Sequence, residues 1–230
     1  MDKLRRTTVP QVKVCGLTIE AEAVATVQAG ADAIGLVFFP TSPRHVSLNQ
    51  ARAIVAALSG HVPAVGVFAN AAWEEMVQAI EHCGLGGVQL HGNESPYLID
   101  RLRSRYPEIT VLKGLFAARA PFMSQASRFN ASAYLVECGK GLLPGGNAES
   151  WDWSSTRSFA CNHPTVLAGG LNPENVDEAI RAAWPDAVDA SSGLESAPGR
   201  KDPDKVIRFI ELVHSTAGVP GPPRTLHPIF

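Results

Sequence analysis

Gln11-Val12-Lys13-Val14-Cys15-Gly16-Leu17-Thr18 is the stretch from which the rest of the chain is read. Val12 and Val14 alternate with Lys13 and Cys15 at period two, the pattern of a short strand over residues 11–16. Gly16 ends that strand, and Thr18 is placed to cap a helix over 19–29, with Gly30 as its stop. The thiol of Cys15 therefore stands on the last side chain of a strand, where a βα loop begins.

Working outward, the same unit recurs. Ala33-Ile34-Gly35-Leu36-Val37-Phe38 is a continuous apolar run, as expected of a strand buried on both faces. Its loop ends in Ser47-Leu48-Asn49-Gln50, which has capping-box spacing ahead of the next helix. Strands follow at 62–68, 86–91, 109–116, 132–137, 164–168 and 186–190. Helices are expected over 72–81, from Ser95-Pro96, near 122–129, after Trp153, over 173–183 and over 203–214. Trp151-Asp152-Trp153 is read as capping and packing the helix that follows it. Eight strand–helix alternations in a chain of 230 residues imply parallel strands with crossover helices. That is the size and rhythm of an α/β (β/α)8 barrel, a TIM barrel in a single domain over residues 11–215. An open doubly wound sheet is the alternative, because pattern alone does not show closure. Residues 1–10 read as a polar lead, and 216–230, rich in proline and glycine, as a loose tail.

Composition narrows the function classes. Apolar residues make up 45% and charged residues 18%, so the chain can bury a core without staples. A net charge of −2 offers no basic footprint for nucleic acid and no polybasic arm for a membrane. No apolar run reaches the ~20 residues of a membrane span, and the N-terminus lacks a secretion signal's apolar segment. Cys15, Cys83, Cys138 and Cys161 are too scattered for a zinc site or a disulfide framework, so a cytoplasmic setting is expected.

Strand alternation places polar residues at strand ends, where such barrels do chemistry. Cys15 shares a face with Lys13, Gln89 with His91, Glu137 with Leu135, and Asp189 opposes Val188 and Ala190. Each has an ordinary reading. A lone cysteine in an apolar strand is usually a small core residue, a lone histidine a hydrogen-bonded structural one, and Arg44 a solvated loop charge. Glu137 is harder to set aside, since a carboxylate in a core strand is costly unless paired or functional. Cys138 turns to the opposite face from Glu137 and reads as packing. Ala168-Gly169-Gly170-Leu171-Asn172-Pro173 and Asp189-Ala190-Ser191-Ser192-Gly193 then supply two turns whose backbone N–H groups converge on an anion, with Asn172 as a helix cap. Their positions after the seventh and eighth strands are those where these barrels hold phosphate.

Lys13-Val14-Cys15-Gly16-Leu17-Thr18, Gly30-Ala31-Asp32-Ala33-Ile34-Gly35, Ser42-Pro43-Arg44, Val65-Gly66-Val67-Phe68, Gln89-Leu90-His91-Gly92, Gly169-Gly170-Leu171-Asn172-Pro173-Glu174-Asn175-Val176 and Asp189-Ala190-Ser191-Ser192-Gly193-Leu194-Glu195 together resemble phosphoribosylanthranilate isomerases, in order from about residue 11 to 214. The resemblance implies the Amadori rearrangement of N-(5-phosphoribosyl)anthranilate to 1-(2-carboxyphenylamino)-1-deoxyribulose 5-phosphate in tryptophan biosynthesis. It implies no metal or organic cofactor, a phosphorylated sugar–anthranilate substrate, and a monomer or homodimer. Carried over position by position, Cys15 is the general base and Glu137 the general acid, its pKa raised by burial. Arg44, His91 and Asp189 bind substrate, and Gly169, Gly170, Ser191, Ser192 and Gly193 hold the phosphate.

Two positions depart from the family pattern: Glu137 stands where aspartate is usual, and Ala148 where a glycine is usual. One competing reading is therefore a catalytically silent barrel that binds a phosphorylated metabolite. A second is a histidine-pathway phosphoribosyl isomerase, against which Cys15 and the single recognisable phosphate site argue.

Overall fold

Eight parallel strands run in chain order around a ring, and the eighth pairs back onto the first. This computed structural model describes residues 8–139, 151–216 and 225–230. The strands are β1 (Gln11–Cys15), β2 (Ala33–Val37), β3 (Ala64–Phe68), β4 (Gly87–Leu90), β5 (Thr110–Phe116), β6 (Ala133–Glu137), β7 (Thr165–Leu167) and β8 (Ala187–Ala190). Outside the ring lie α1 (Glu20–Gln28), α2 (Leu48–Ala57), α3 (Trp73–Cys83), α4 (Pro96–Arg105), α5 (Arg157–Ala160), α6 (Val176–Ala183) and α7 (Pro203–Ser215). An antiparallel hairpin, β9 (Glu195–Ala197) with β10 (Arg200–Lys201), lies between β8 and α7. The closed barrel expected from the alternation is thus present, and the open sheet is excluded.

Alternation along each strand builds two apolar layers. Val12, Val14, Ile34, Leu36, Val88 and Leu90 point outward into the shell between strands and helices. Ala33, Val65, Leu112, Ala133, Leu135, Val166 and Ala187 fill the barrel interior. The register aligns Lys13 with Ala33 and Asp189, Cys15 with Gly35, Val67 with Gln89, and Phe116 with Glu137. Inward side chains therefore become polar toward the C-terminal ends of the strands.

Four local expectations change. Thr18 does not cap α1, whose N-cap is Ile19 with no side-chain bond; the Thr18 hydroxyl instead donates to the Gly199 carbonyl at 2.8 Å. Asn172 does not cap α6 either. Its side chain accepts from the Glu174 N–H at 2.9 Å, its own N–H donates to Asn175 Oδ1 at 2.9 Å, and the helix starts later, at Val176. A 3₁₀ turn, Met123–Arg128, joins β5 to β6 in place of an α-helix, and the Tyr134 hydroxyl ties it down by donating toward the Ala126 and Phe129 carbonyls. The tail is not loose at its end. The Ile229 N–H donates to Gln11 Oε1 at 2.6 Å, Gln11 Nε2 donates to the Phe230 carbonyl at 3.0 Å, and the Ile229 side chain is buried with the barrel interior. Asp152, by contrast, caps the turn after it as expected, accepting from the Ser154 N–H at 3.1 Å. Ala148 and its loop lie outside the described residues.

Candidate active site

The C-terminal ends of the strands surround one cavity. Cys15, Arg44, His91, Glu137, Gly169, Gly170, Asp189, Ser191, Ser192 and Gly193 all line it, so every site residue expected from the sequence comes to the same place. Small residues leave the room. A Cβ on Gly35, beside Cys15 in register, would sit 2.6 Å from the Cys15 sulfur, and one on Gly114 would sit 3.1 Å from His91 Nδ1.

Cys15 ends β1 with Lys13 two residues behind it on the same face. Lys13 is fully buried and donates to Asp189 Oδ1 at 2.9 Å, an ion pair that joins the first strand to the last. Burial alone would lower the Lys13 pKa, but its acidic surroundings, Asp189 first, outweigh burial and keep the ammonium charged. Burial pushes the Cys15 thiol up, more than the nearby Lys13 and Lys201 ammonium groups pull it down. The site at rest therefore holds a thiol.

Glu137 ends β6 and meets His91 Nε2 at 3.3 Å, while His91 Nδ1 lies 3.1 Å from Gln89 Nε2. An amide nitrogen can only donate, so in this arrangement Nδ1 accepts and the ring presents an Nε2–H to the carboxylate. Burial raises the Glu137 pKa, but His91 and the Arg119 guanidinium outweigh it, and the carboxyl is held below its usual range. This corrects the expectation that burial decides the protonation of Glu137. His91 also serves the carboxylate, a contact that its place just after β4 did not disclose.

Arg44 is not a solvated loop charge. Its Nε and Nη2 donate to Glu195 Oε1 and Oε2, each at 2.8 Å, a bidentate pair that leaves Nη1 for a ligand. Lys201 donates to the same Glu195 Oε1 at 2.9 Å and to the Ser191 carbonyl at 3.1 Å. Burial would raise the Glu195 pKa, but Arg44 and Lys201 together keep it ionised. Sequence reading missed Glu195 and Lys201 as site groups. It missed a second buried cluster as well: Lys113 donates to Glu94 Oε2 at 2.8 Å and to the Gly92 carbonyl at 2.7 Å, bracing the loop after β4.

At the rim, Gly169 and Gly170 adopt φ of +89° and +71°, a backbone that side chains with a Cβ rarely take. Gly193 packs so closely under the Leu171 carbonyl that a Cβ there would collide with it. The two loops are thus pressed together; the Gly169-Gly170 pair was the signal for the first, and the place of Ser191-Ser192-Gly193 at the end of the eighth strand for the second.

Comparison with known proteins points to one family. A family model described as N-(5'phosphoribosyl)anthranilate (PRA) isomerase matches residues 12–212. The N-(5'-phosphoribosyl)anthranilate isomerase of Desulfatibacillum aliphaticivorans is 47% identical, over 93% of this chain and 97% of its own. The crystal structure of phosphoribosyl anthranilate isomerase from Thermotoga maritima superposes with a TM-score of 0.82 at 36% identity, covering 90% of this chain and 99% of that one. A structure of the isomerase in complex with reduced 1-(O-carboxyphenylamino)-1-deoxyribulose 5-phosphate superposes at 0.79 with 36% identity, over 90% of this chain and 99% of that one.

Proposed function

The chain belongs to the N-(5'-phosphoribosyl)anthranilate isomerase family, and from that premise we propose how its own residues divide the reaction. It is an isomerase of tryptophan biosynthesis, converting N-(5-phosphoribosyl)anthranilate to 1-(2-carboxyphenylamino)-1-deoxyribulose 5-phosphate. In our reading the Glu137 carboxylic acid gives its proton to the furanose ring oxygen, and the C1′–O bond breaks to leave a Schiff base. The Cys15 thiolate then removes the C2′ proton, and the electrons move into the C1′–C2′ bond to form an enolamine, which tautomerises to the ketone. Arg44 takes the anthranilate carboxylate through Nη1, and the Gly169-Gly170 and Ser191-Ser192-Gly193 loops take the phosphate. His91 and Asp189 stand beside the reacting carbons. Holding both ends of the substrate fixes the sugar between acid and base, which is where positioning lowers a barrier most. A cytoplasmic setting suits such an enzyme.

The observation that carries this assignment is that Cys15 and Glu137, from strands one and six, line one cavity with both anion loops at its rim. Their resting protonation gives the mechanism its form. Burial keeps Cys15 a thiol, and His91 with Arg119 keeps Glu137 a carboxylate despite burial. The reactive pair, thiolate and carboxylic acid, contains the same number of protons with one of them moved. The enzyme therefore works through a minor tautomer of its resting state.

The test is turnover of freshly prepared N-(5-phosphoribosyl)anthranilate by the native chain, Glu137→Asp and Glu137→Gln. Glu137→Gln is expected to lose on the order of 10²–10⁴-fold in kcat, as removal of a general acid does, and Glu137→Asp to retain turnover. Full activity of Glu137→Gln would remove Glu137 as the acid. An inactive native chain that still bound the reduced product would instead favour the silent barrel.

A further inference from the structure

We propose that Lys201 and Glu195 are positioning residues that hold the two anion subsites of the cavity from behind, Lys201 serving both and Glu195 serving Arg44 alone. The inference rests on the reading that Arg44 takes the substrate carboxylate and the Ser191 loop the phosphate.

Three buried side chains make the connection. The Lys201 ammonium donates to the Ser191 carbonyl at 3.1 Å and to Glu195 Oε1 at 2.9 Å. Glu195 grips Arg44 through both of its oxygens at 2.8 Å. Lys201 has 4% and Arg44 7% of its surface exposed, so neither can swing into water without leaving a partner charge stranded. The hairpin that carries the pair is itself pinned. Thr18 Oγ1 donates to the Gly199 carbonyl at 2.8 Å, the Lys201 N–H to Glu22 Oε2 at 3.0 Å, and Lys205 Nζ to the Glu195 carbonyl at 2.9 Å. The support is thus anchored to α1 and α7 and does not depend on a bound ligand.

Charge points the same way. Two cations share one carboxylate, so the group as a whole carries one uncompensated positive charge against a cavity that receives an anionic substrate. The approach is tight as well: a Cβ on Gly16 would meet the Arg44 side chain and lie 3.1 Å from Ser191 Oγ, so the arginine and the Ser191 hydroxyl flank the same glycine. Neither Lys201 nor Glu195 lines the cavity, so their contacts reach it through Ser191 and Arg44.

The arrangement dictates a pattern across variants. Affinities for two probes, free anthranilate and inorganic phosphate, are measured by calorimetry with the full chain, together with KM and kcat. Arg44→Ala and Glu195→Gln are expected to weaken anthranilate about tenfold and leave phosphate unchanged, while Lys201→Met weakens both by about that factor, within the range of coupling between sites. In Glu195→Gln, which keeps the side chain's shape, the loss in kcat/KM is expected mainly in KM. Native affinity for both probes in Lys201→Met, or loss of only one, overturns the proposal. Loss of both probes in Glu195→Gln overturns it too, since that is general damage and not a connected support. Native anthranilate affinity in Arg44→Ala overturns the reading beneath it, a result distinct from failure of the Lys201 link.

Discussion

The two ends of the barrel solve opposite problems with the same strands. At the C-terminal end, inward positions carry Cys15, His91, Glu137 and Asp189 around an open cavity. At the N-terminal end the chain's own last residues close the interior. Ile229 joins the apolar layer of Ala33, Val65, Leu112 and Ala187, and Gln11, Thr110 and Asp186 bond the backbone of residues 227–230. Strand β1 shows the gradient in three alternate positions: Gln11 holds the tail, Lys13 pairs with Asp189, and Cys15 faces the cavity. Polar groups below satisfy one another and lower the energy of the fold. Those above are held in protonation states that only the reaction resolves. The family match ends at residue 212, so this closure from below lies beyond the matched span.

The sharpest way to break the comparison is to damage each end and ask which property moves. Cys15→Ala is expected to lower kcat by about 10³-fold or more while leaving the thermal midpoint nearly unchanged, since alanine fills a site where only a thiol was removed. Retained turnover in steady-state assays would show that the upper end does not depend on that thiol. Truncation after Arg224 is the converse. It removes Ile229 from the interior and several bonds to Gln11 and Asp186, offset in part by the freed chain entropy, for a net loss of about 2 kcal/mol. In a chain of this size that lowers Tm by about 4–8 °C, read by calorimetry, with kcat unaffected. A fall in kcat at full stability would join the two ends functionally and undo the contrast.

The smallest effect sharpens the upper end itself. The low-pH limb of kcat/KM should follow Glu137, because below it both acid and base are protonated and no base remains. The groups facing Glu137 are His91 and Arg119, with Asp189 and its partner Lys13 further across the mouth. Removing the ring in His91→Gln takes away a group that lowers Glu137, lets burial weigh more, and moves that limb to higher pH. A limb that stayed in place or moved down would separate His91 from the acid.

Much of this was legible along the chain because it is periodic or local. Alternation at β1 set Cys15 and Lys13 on one face, the apolar run at Ala33–Val37 announced a strand buried on both sides, and Ser47 with Gln50 forms the capping box its spacing required. Paired glycines located the first rim loop, and position after the eighth strand the second. What stayed hidden is long-range or competes with local rules. Glu195 is 151 positions from the Arg44 it grips, and His91 is 46 from Glu137, separations on which no periodicity acts. Thr18 and Asn172 have the chemistry of caps, but a carbonyl in the distant hairpin and a local turn take their side chains first. The proline-rich run before residue 225 concealed a terminal segment whose backbone is bonded to the barrel floor at His227, Ile229 and Phe230.

The Lys13–Asp189 pair also sets an order of events. Its members lie 176 positions apart, on the first and last strands, so the seam closes only after nearly the whole chain has been made. A nascent chain carries the thiol from its fifteenth residue, yet every fragment ending before Asp189 lacks the carboxylate that holds Lys13 behind that thiol. The proposed base is translated first and acquires its surroundings almost last. Catalytic competence in this chain is therefore a report on ring closure, and no fragment that ends before Asp189 can imitate it.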